Sequence, residues 1–145
     1  MEDSRQKILS KKFLDFAEKP ATIEEKAVAM ILQKFISAYN RNDILEISDS
    51  LSDDALVKGI ATRGVFINKN DYLLLLRNNL KNIRLLTFVN AIIRINSGSA
   101  KVYGLMNIYS VDNKIGKSDI FFKLLEKEKN WFISQIVVQD PIWLR

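Results

Sequence analysis

The side chains in this chain that can take up or release a proton are carboxylates, tyrosines and lysines, because its 145 residues include no histidine and no cysteine. That composition removes the imidazole and thiolate dyads of nucleophilic catalysis and the commonest ligands of zinc. No metal site and no cofactor is expected. Among the remaining groups, Asn107 and Tyr109 stand two apart on an expected strand and so share a face, and Asp119 lies on the next strand. A carboxylate whose pKa is raised by burial, beside a hydrogen-bond donor, is the pairing that proton abstraction requires. Tyr39, near the end of an expected helix, is a further candidate for ligand contact, with packing as its plainer reading. Trp131 reads first as core. Phe66, Phe88, Phe121, Phe122 and Phe132 serve a pocket wall or a core equally well.

The elements that would position these groups begin with "SRQKILSKKFLDFAEK", residues 3–18, where Ile8, Leu9, Phe13 and Phe16 fall at helical spacing. Pro20 stops that helix. Thr22 and Glu25 form a capping box for a second helix running to about Asn40. Its apolar stripe is traced by Ala27, Met30, Ile31, Lys34, Phe35 and Ala38, widened by Ile36 and Tyr39. Lys34 is expected to lay its stem along apolar surface. Asp43 and Glu46 form a second capping box for a short helix, and the pair Asp53–Asp54 is read as a turn cap. "ALVKGI" and "GVFI" are short strands. Asn68 or Asn70 caps a third helix through about Leu80, with Leu73, Leu74 and Leu76 as its core face.

From Ile83 onward the texture is β. Four long runs rich in β-branched and aromatic residues are separated by "SGS", "NKIG" and "KEKN". Connections this short demand antiparallel neighbours. Helices followed by a four-strand meander give an α+β fold. In "FISQIVVQ", Ile133 and Val137 are expected on one face and Phe132, Ile136 and Val138 on the other. Helices can cover only one face, so a second subunit is expected on the other. The competing cover is the segment 3–18.

The order and spacing of these elements resemble the nuclear transport factor 2-like superfamily, which includes ketosteroid isomerases and SnoaL-like polyketide cyclases. The resemblance covers roughly residues 22–140 and is carried by "AYNRND", "LSDDALV", "INKNDYLLLL" and "NWFISQIVV". It implies a cystatin-like α+β domain over 22–145, with a cone-shaped, mainly antiparallel curved sheet packed on three helices. Residues 1–21 are then an additional N-terminal helical extension. It also implies a pocket inside the cone, with Phe35, Tyr39, Phe66, Asn107, Tyr109, Asp119, Phe121 and Trp131 as candidate lining. The isomerases of the superfamily carry a Tyr and a general-base Asp at positions that fall on Phe35 and Gly59 here, so both groups are missing.

The expected function is therefore a non-catalytic module for a small hydrophobic ligand or for protein interaction, working as a homodimer. One alternative is an isomerase- or cyclase-type enzyme acting on a hydrophobic carbonyl compound, with Asp119 or Tyr109 in place of the absent base. Another is an exported accessory domain, if Met1 stands in place of a removed leader; as written, the chain reads as cytoplasmic. Its net charge of +5 comes from scattered basic residues, apart from Arg5, Lys7, Lys11 and Lys12. No nucleic-acid partner is expected, since no RNP-like or zinc-finger pattern accompanies them. No stretch is long enough to span a membrane.

Overall fold

The computed structural model describes residues 13–59, 62, 64–79, 83–112, 114–139 and 142–144. The second expected helix forms first. In α1 (Ile23–Asn40) the Thr22 hydroxyl accepts from the Glu25 amide at 3.0 Å, and the Glu25 carboxylate accepts from the Thr22 amide at 2.9 Å. Its buried side is Val28, Leu32, Phe35, Ile36 and Ala38. The expected stripe is thus rotated: Met30 is 72% exposed, and Lys34 is exposed rather than laid against the core.

Helix α2 (Ile44–Ser50) has half of its expected capping box. The Asp43 carboxylate accepts from the Glu46 amide at 3.1 Å, but Glu46 turns to the Arg41 guanidinium, and the Asp43 amide donates to Ala38 O at 2.9 Å. The chain then enters β2 (Leu51–Lys58) without a turn. Asp53–Asp54 therefore lie exposed within a strand, in the stretch where its register shifts, rather than capping a turn. Strand β3 (Ile67–Asn68) is short and leaves Phe66 outside it. Helix α3 (Lys69–Asn79) follows; Asn68 is its cap, accepting from the Asp71 amide at 2.9 Å. Leu76 is buried, but Leu74 points to solvent.

The four long strands are β4 (Ile83–Asn96), β5 (Ser99–Ser110), β6 (Ile115–Lys127) and β7 (Asn130–Val138), paired antiparallel in sequence. Two hairpins close through Ser97–Gly98 and Glu128–Lys129, all four residues at positive φ. That is the two-residue geometry whose twist matches the flanking strands. One curved, unclosed sheet results, ordered β1-β4-β5-β6-β7-β2-β3, where β1 is Leu14–Phe16, with β2 parallel to β7 and the C-terminal β8 (Ile142–Leu144) adding to β6.

Two findings depart from expectation. The helix expected over 3–18 does not run through its second half. Leu14–Phe16 is strand β1, parallel to β4 at Phe88–Ala91; residues 1–12 lie outside the described part. In β7 an extra residue, Ser134, sits between the pairs Lys123–Gln135 and Leu124–Ile133. This bulge puts Trp131, Ile133, Ile136 and Val138 together on the inner face and leaves Phe132 and Val137 outside. Simple alternation had separated Ile133 from Val138 and grouped it with Val137.

A second bulge bends β4. Asn90 takes φ 56° where the β4–β5 register shifts between Val89 and Ile92. Opposite it, Gly104 lies under the Phe88 ring; a Cβ there would stand 2.6 Å from Phe88 Cε2 and 3.0 Å from Val89 O. No larger residue lets the sheet pass so close beneath that ring. At the end of α1, Asn40 clamps β4: its amide donates to Leu86 O at 2.9 Å and accepts from the Leu86 amide at 2.8 Å.

Candidate functional site

Behind the sheet, α1 and α3 leave a cavity of about 160 Å³, partly open to solvent. Alternation along β5 and β6 explains its wall. Met106, Ile108, Ile120 and Phe122 point inward, together with Phe88, Ile136 and Val138 from the neighbouring strands. Phe122 meets Phe88 edge-on at 5.4 Å and Phe35 at 5.9 Å, which anchors the helix side of the wall to the sheet side. Among the described residues, the lining contains no charged side chain.

Among the described residues, three side chains bring polar atoms to it: Tyr39 from α1, Tyr72 from α3, and Thr62. The Thr62 hydroxyl is committed to its own loop, accepting from the Gly59 amide at 2.9 Å and donating to Gly59 O at 2.9 Å. Neither tyrosine hydroxyl has a hydrogen-bond partner among the described residues. Burial pushes the Tyr39 phenol up to about 12. Tyr72 is held well above the usual phenol range, first by burial and then by the nearby Tyr39. Both therefore remain protonated donors at neutral pH.

Of the candidates read from sequence, Phe35 and Tyr39 line this cavity. Asn107, Tyr109, Asp119 and Phe121 are on the opposite, outer face of the sheet, because each is one residue out of step with the inward-pointing set. Asp119 and Phe121 border a shallow outer groove with Ile92, Tyr103, Leu105 and Val137, where the Tyr103 and Phe121 rings pack at 5.1 Å. Asn107 reaches Thr87 Oγ1 at 3.5 Å, while its carbonyl oxygen is buried without a partner among the described residues. Trp131 is buried in the core away from the cavity. Phe66 is 44% exposed and lies under the Lys58 ammonium at 5.6 Å. Gly59, where the resemblance places a general base, does border the cavity. Tyr72 was missed; its spacing of four from Leu76 on one helix side was the signal that could have found it.

Among the described residues, no cluster of three or more His, Cys, Asp or Glu side chains is placed to hold a metal ion, and no helix is long and apolar enough to cross a membrane.

No protein-family model matches the chain, and no curated protein matches it. Solved structures do. A nuclear transport factor 2-like protein from Cytophaga hutchinsonii superposes with a TM-score of 0.72 at 17% identity, over 83% of this chain and 100% of that one. A protein of unknown function with a cystatin-like fold from Nostoc punctiforme gives 0.70 at 14% identity, over 86% of this chain and 96% of that one. A third, from Novosphingobium aromaticivorans, gives 0.68 at 13% identity, over 84% of this chain and 87% of that one; its description as a scytalone dehydratase is provisional. The chain has the nuclear transport factor 2-like, cystatin-like fold.

Proposed function

We propose that this protein is a non-catalytic binding module that takes a small apolar ligand into the cavity behind its sheet, and that it works as a homodimer. The observation that carries the reading is the cavity wall: space of about 160 Å³ whose described lining is mainly aliphatic and aromatic and includes no charged side chain. An engineered apolar cavity of about 150 Å³ takes up benzene, so this space has the capacity for a ring-sized molecule. Proton transfer at carbon needs a base that titrates near the working pH. Among the described residues, the ionisable groups of this wall are two phenols held neutral, and Asp119 lies across the sheet from them. These features support binding over turnover. The test is a toluene titration followed by the methyl resonances of Met106, Ile108 and Ile120. Saturable shifts there, absent at outer Ile92, are expected; no saturable shift at the cavity methyls overturns the reading.

Self-association is proposed through the outer sheet face, where Tyr103 is 48% exposed beside half-buried Ile92, Leu105 and Phe121. Covering such a patch removes apolar area worth about 25 cal/mol per Å² before association costs. Light scattering should return twice the 16.7 kDa chain mass. A Tyr103→Glu chain should return that mass singly; a wild-type monomer at high micromolar concentration defeats this part of the proposal.

A further inference from the structure

The outer face of the sheet is ordered in rows that cross the strands. Ile92, Tyr103, Phe121 and Val137 stand directly opposite one another on β4, β5, β6 and β7 and make one apolar row. Two residues along the strands to one side, Lys101 faces Lys123. Two residues to the other side, Leu105 faces Asp119. We infer that the occupant of this face is a second copy of the chain turned about a two-fold axis along the apolar row, so that Asp119 of each copy meets the Lys101–Lys123 pair of the other. This inference rests on the self-association proposed above and deepens it by fixing how the two copies face each other.

The charges themselves point to this partner. Among the described residues, Lys101, Lys123 and Asp119 take part in no ion pair, whereas Arg94, opposite Lys101 in the same row, is held by Glu18. Like charges directly opposite one another on neighbouring strands destabilise the pairing. A carboxylate laid over Lys101 and Lys123 offsets that repulsion.

The spacing makes the contact reciprocal. On β6, Lys123 and Asp119 lie two residues either side of Phe121. Turning one copy about the apolar row exchanges the two sides. Lys123 then lies over the Asp119 of the other copy, and Asp119 over its Lys123, as an isologous interface requires. Tyr103 and Phe121 meet their own counterparts. The competing face-to-face arrangement has its axis along the strands and lays the lysines of one copy on those of the other. Like charges brought together across an interface oppose binding. Sheet twist does not spoil the match: at about 7 Å from the axis, an angle of roughly 30° between packed sheets displaces the facing groups by about 3–4 Å, which a lysine stem spans. The apolar row drives association, and the charges beside it set the register.

Two substitutions that each break the pairing, and together restore it, test the inference. Asp119→Lys sets lysine against lysine in its own dimer, and Lys123→Asp sets carboxylate against carboxylate. By sedimentation velocity each variant alone is expected to dissociate roughly tenfold more readily than the wild-type chain, as attraction turns to repulsion at two symmetric rim pairs. An equimolar mixture pairs opposite charges at both contacts and should return to within about threefold of wild type. The wild-type chain is tested directly by carbodiimide coupling of carboxylates to amines in dimers mixed from light and heavy nitrogen-labelled chains. A link from Asp119 to Lys123 or Lys101 that joins one light and one heavy peptide is expected. Within one chain Asp119 and Lys123 are four strand residues apart, about 13 Å, too far for a coupling that adds no spacer.

Variants that dimerise as well as wild type would overturn the inference and leave self-association standing. Weakened variants that mixing does not restore would do the same, as would wild-type dimers whose mixed-isotope links never join these residues. A wild-type monomer at high micromolar concentration removes self-association, and the inference falls with it. The coupling experiment needs no variant to fold.

Discussion

The two faces of the β4–β7 sheet are built from the same strands, one residue apart, and they differ in almost every physical respect. The inner face is largely buried: Phe88, Val102, Phe122, Leu124 and Ile133 are all at most 1% exposed. The outer face mixes charged and polar side chains with partly exposed apolar ones, as in Lys101, Tyr103, Leu105, Asn107 along β5 and Lys117, Asp119, Phe121, Lys123 along β6. Composition alone does not separate the faces, since each carries aromatic side chains. What separates them is which face the helices cover, and how two bulges re-aim the strands.

Adjacent residues make the sharpest version of this contrast. Phe122→Ala removes a ring that contacts both Phe35 and Phe88, and is expected to destabilise by about 4 kcal/mol. Phe121→Ala, on the other face of the same strand, should cost about 1 kcal/mol in folding and weaken the proposed dimer instead. Urea denaturation of both variants checks this; similar losses would mean that the faces are not energetically distinct.

The close approach beneath Phe88 offers the next largest effect. Gly104→Ala puts a carbon into the ring and against a backbone oxygen, and an expected loss of about 3 kcal/mol follows from overpacking that cannot relax freely. Leu105→Ala next door is expected to lose less. A neutral Gly104→Ala, measured by thermal melting, would show that the bend at Asn90 is softer than argued.

Asn40→Ala should cost about 2 kcal/mol, because it strips both partners from the Leu86 peptide where α1 meets β4. It should also loosen the cavity, since Tyr39 is the preceding residue. Amide hydrogen exchange at Leu86 is the direct readout, and unchanged protection there would remove Asn40 from its positioning role.

A further effect is in pH. Burial raises the Tyr39 phenol from 10.0 to about 12 in the folded chain. A group raised in this way contributes its stability fully below pH 10, its ordinary value, and loses it as pH climbs toward about 12. The melting temperature is therefore expected to fall across that window, and to fall less in Tyr39→Phe. An identical alkaline profile for the two chains would show that the phenol ionises as freely folded as unfolded.

Much of the frame was legible because its signals are local. The Thr22–Glu25 box, a cap at Asn68 or Asn70, and the short connections "SGS" and "KEKN" depend on residues within four positions of each other; the structure puts the cap at Asn68 and the turns at Ser97–Gly98 and Glu128–Lys129. The three helices after Pro20 and the antiparallel meander of the four long strands followed from period and spacing. The candidate site was legible only in part, because a cavity is defined by faces, and faces are set by register. Alternation counted from one end of β7 fails after Ser134, and nothing in "FISQIVV" announces the extra residue. On the outer face, Asn107, Tyr109 and Asp119 were read correctly as neighbours but not as lying outside the cavity.

The sequence by itself determined the α+β class, the order of elements from the Thr22-capped helix through the four-strand meander, the lack of imidazole and thiol side chains, and the short connections between the long strands, since each rests on residue type or short-range spacing. Only the tertiary structure decided that Leu14–Phe16 pairs with β4, that Asn40 locks α1 to Leu86, and that Tyr39 and Tyr72 meet in one apolar space. Those contacts join residues 33 to 75 positions apart. Their free energy comes from burial and pairing made possible by the whole sheet, so no window of sequence contains it.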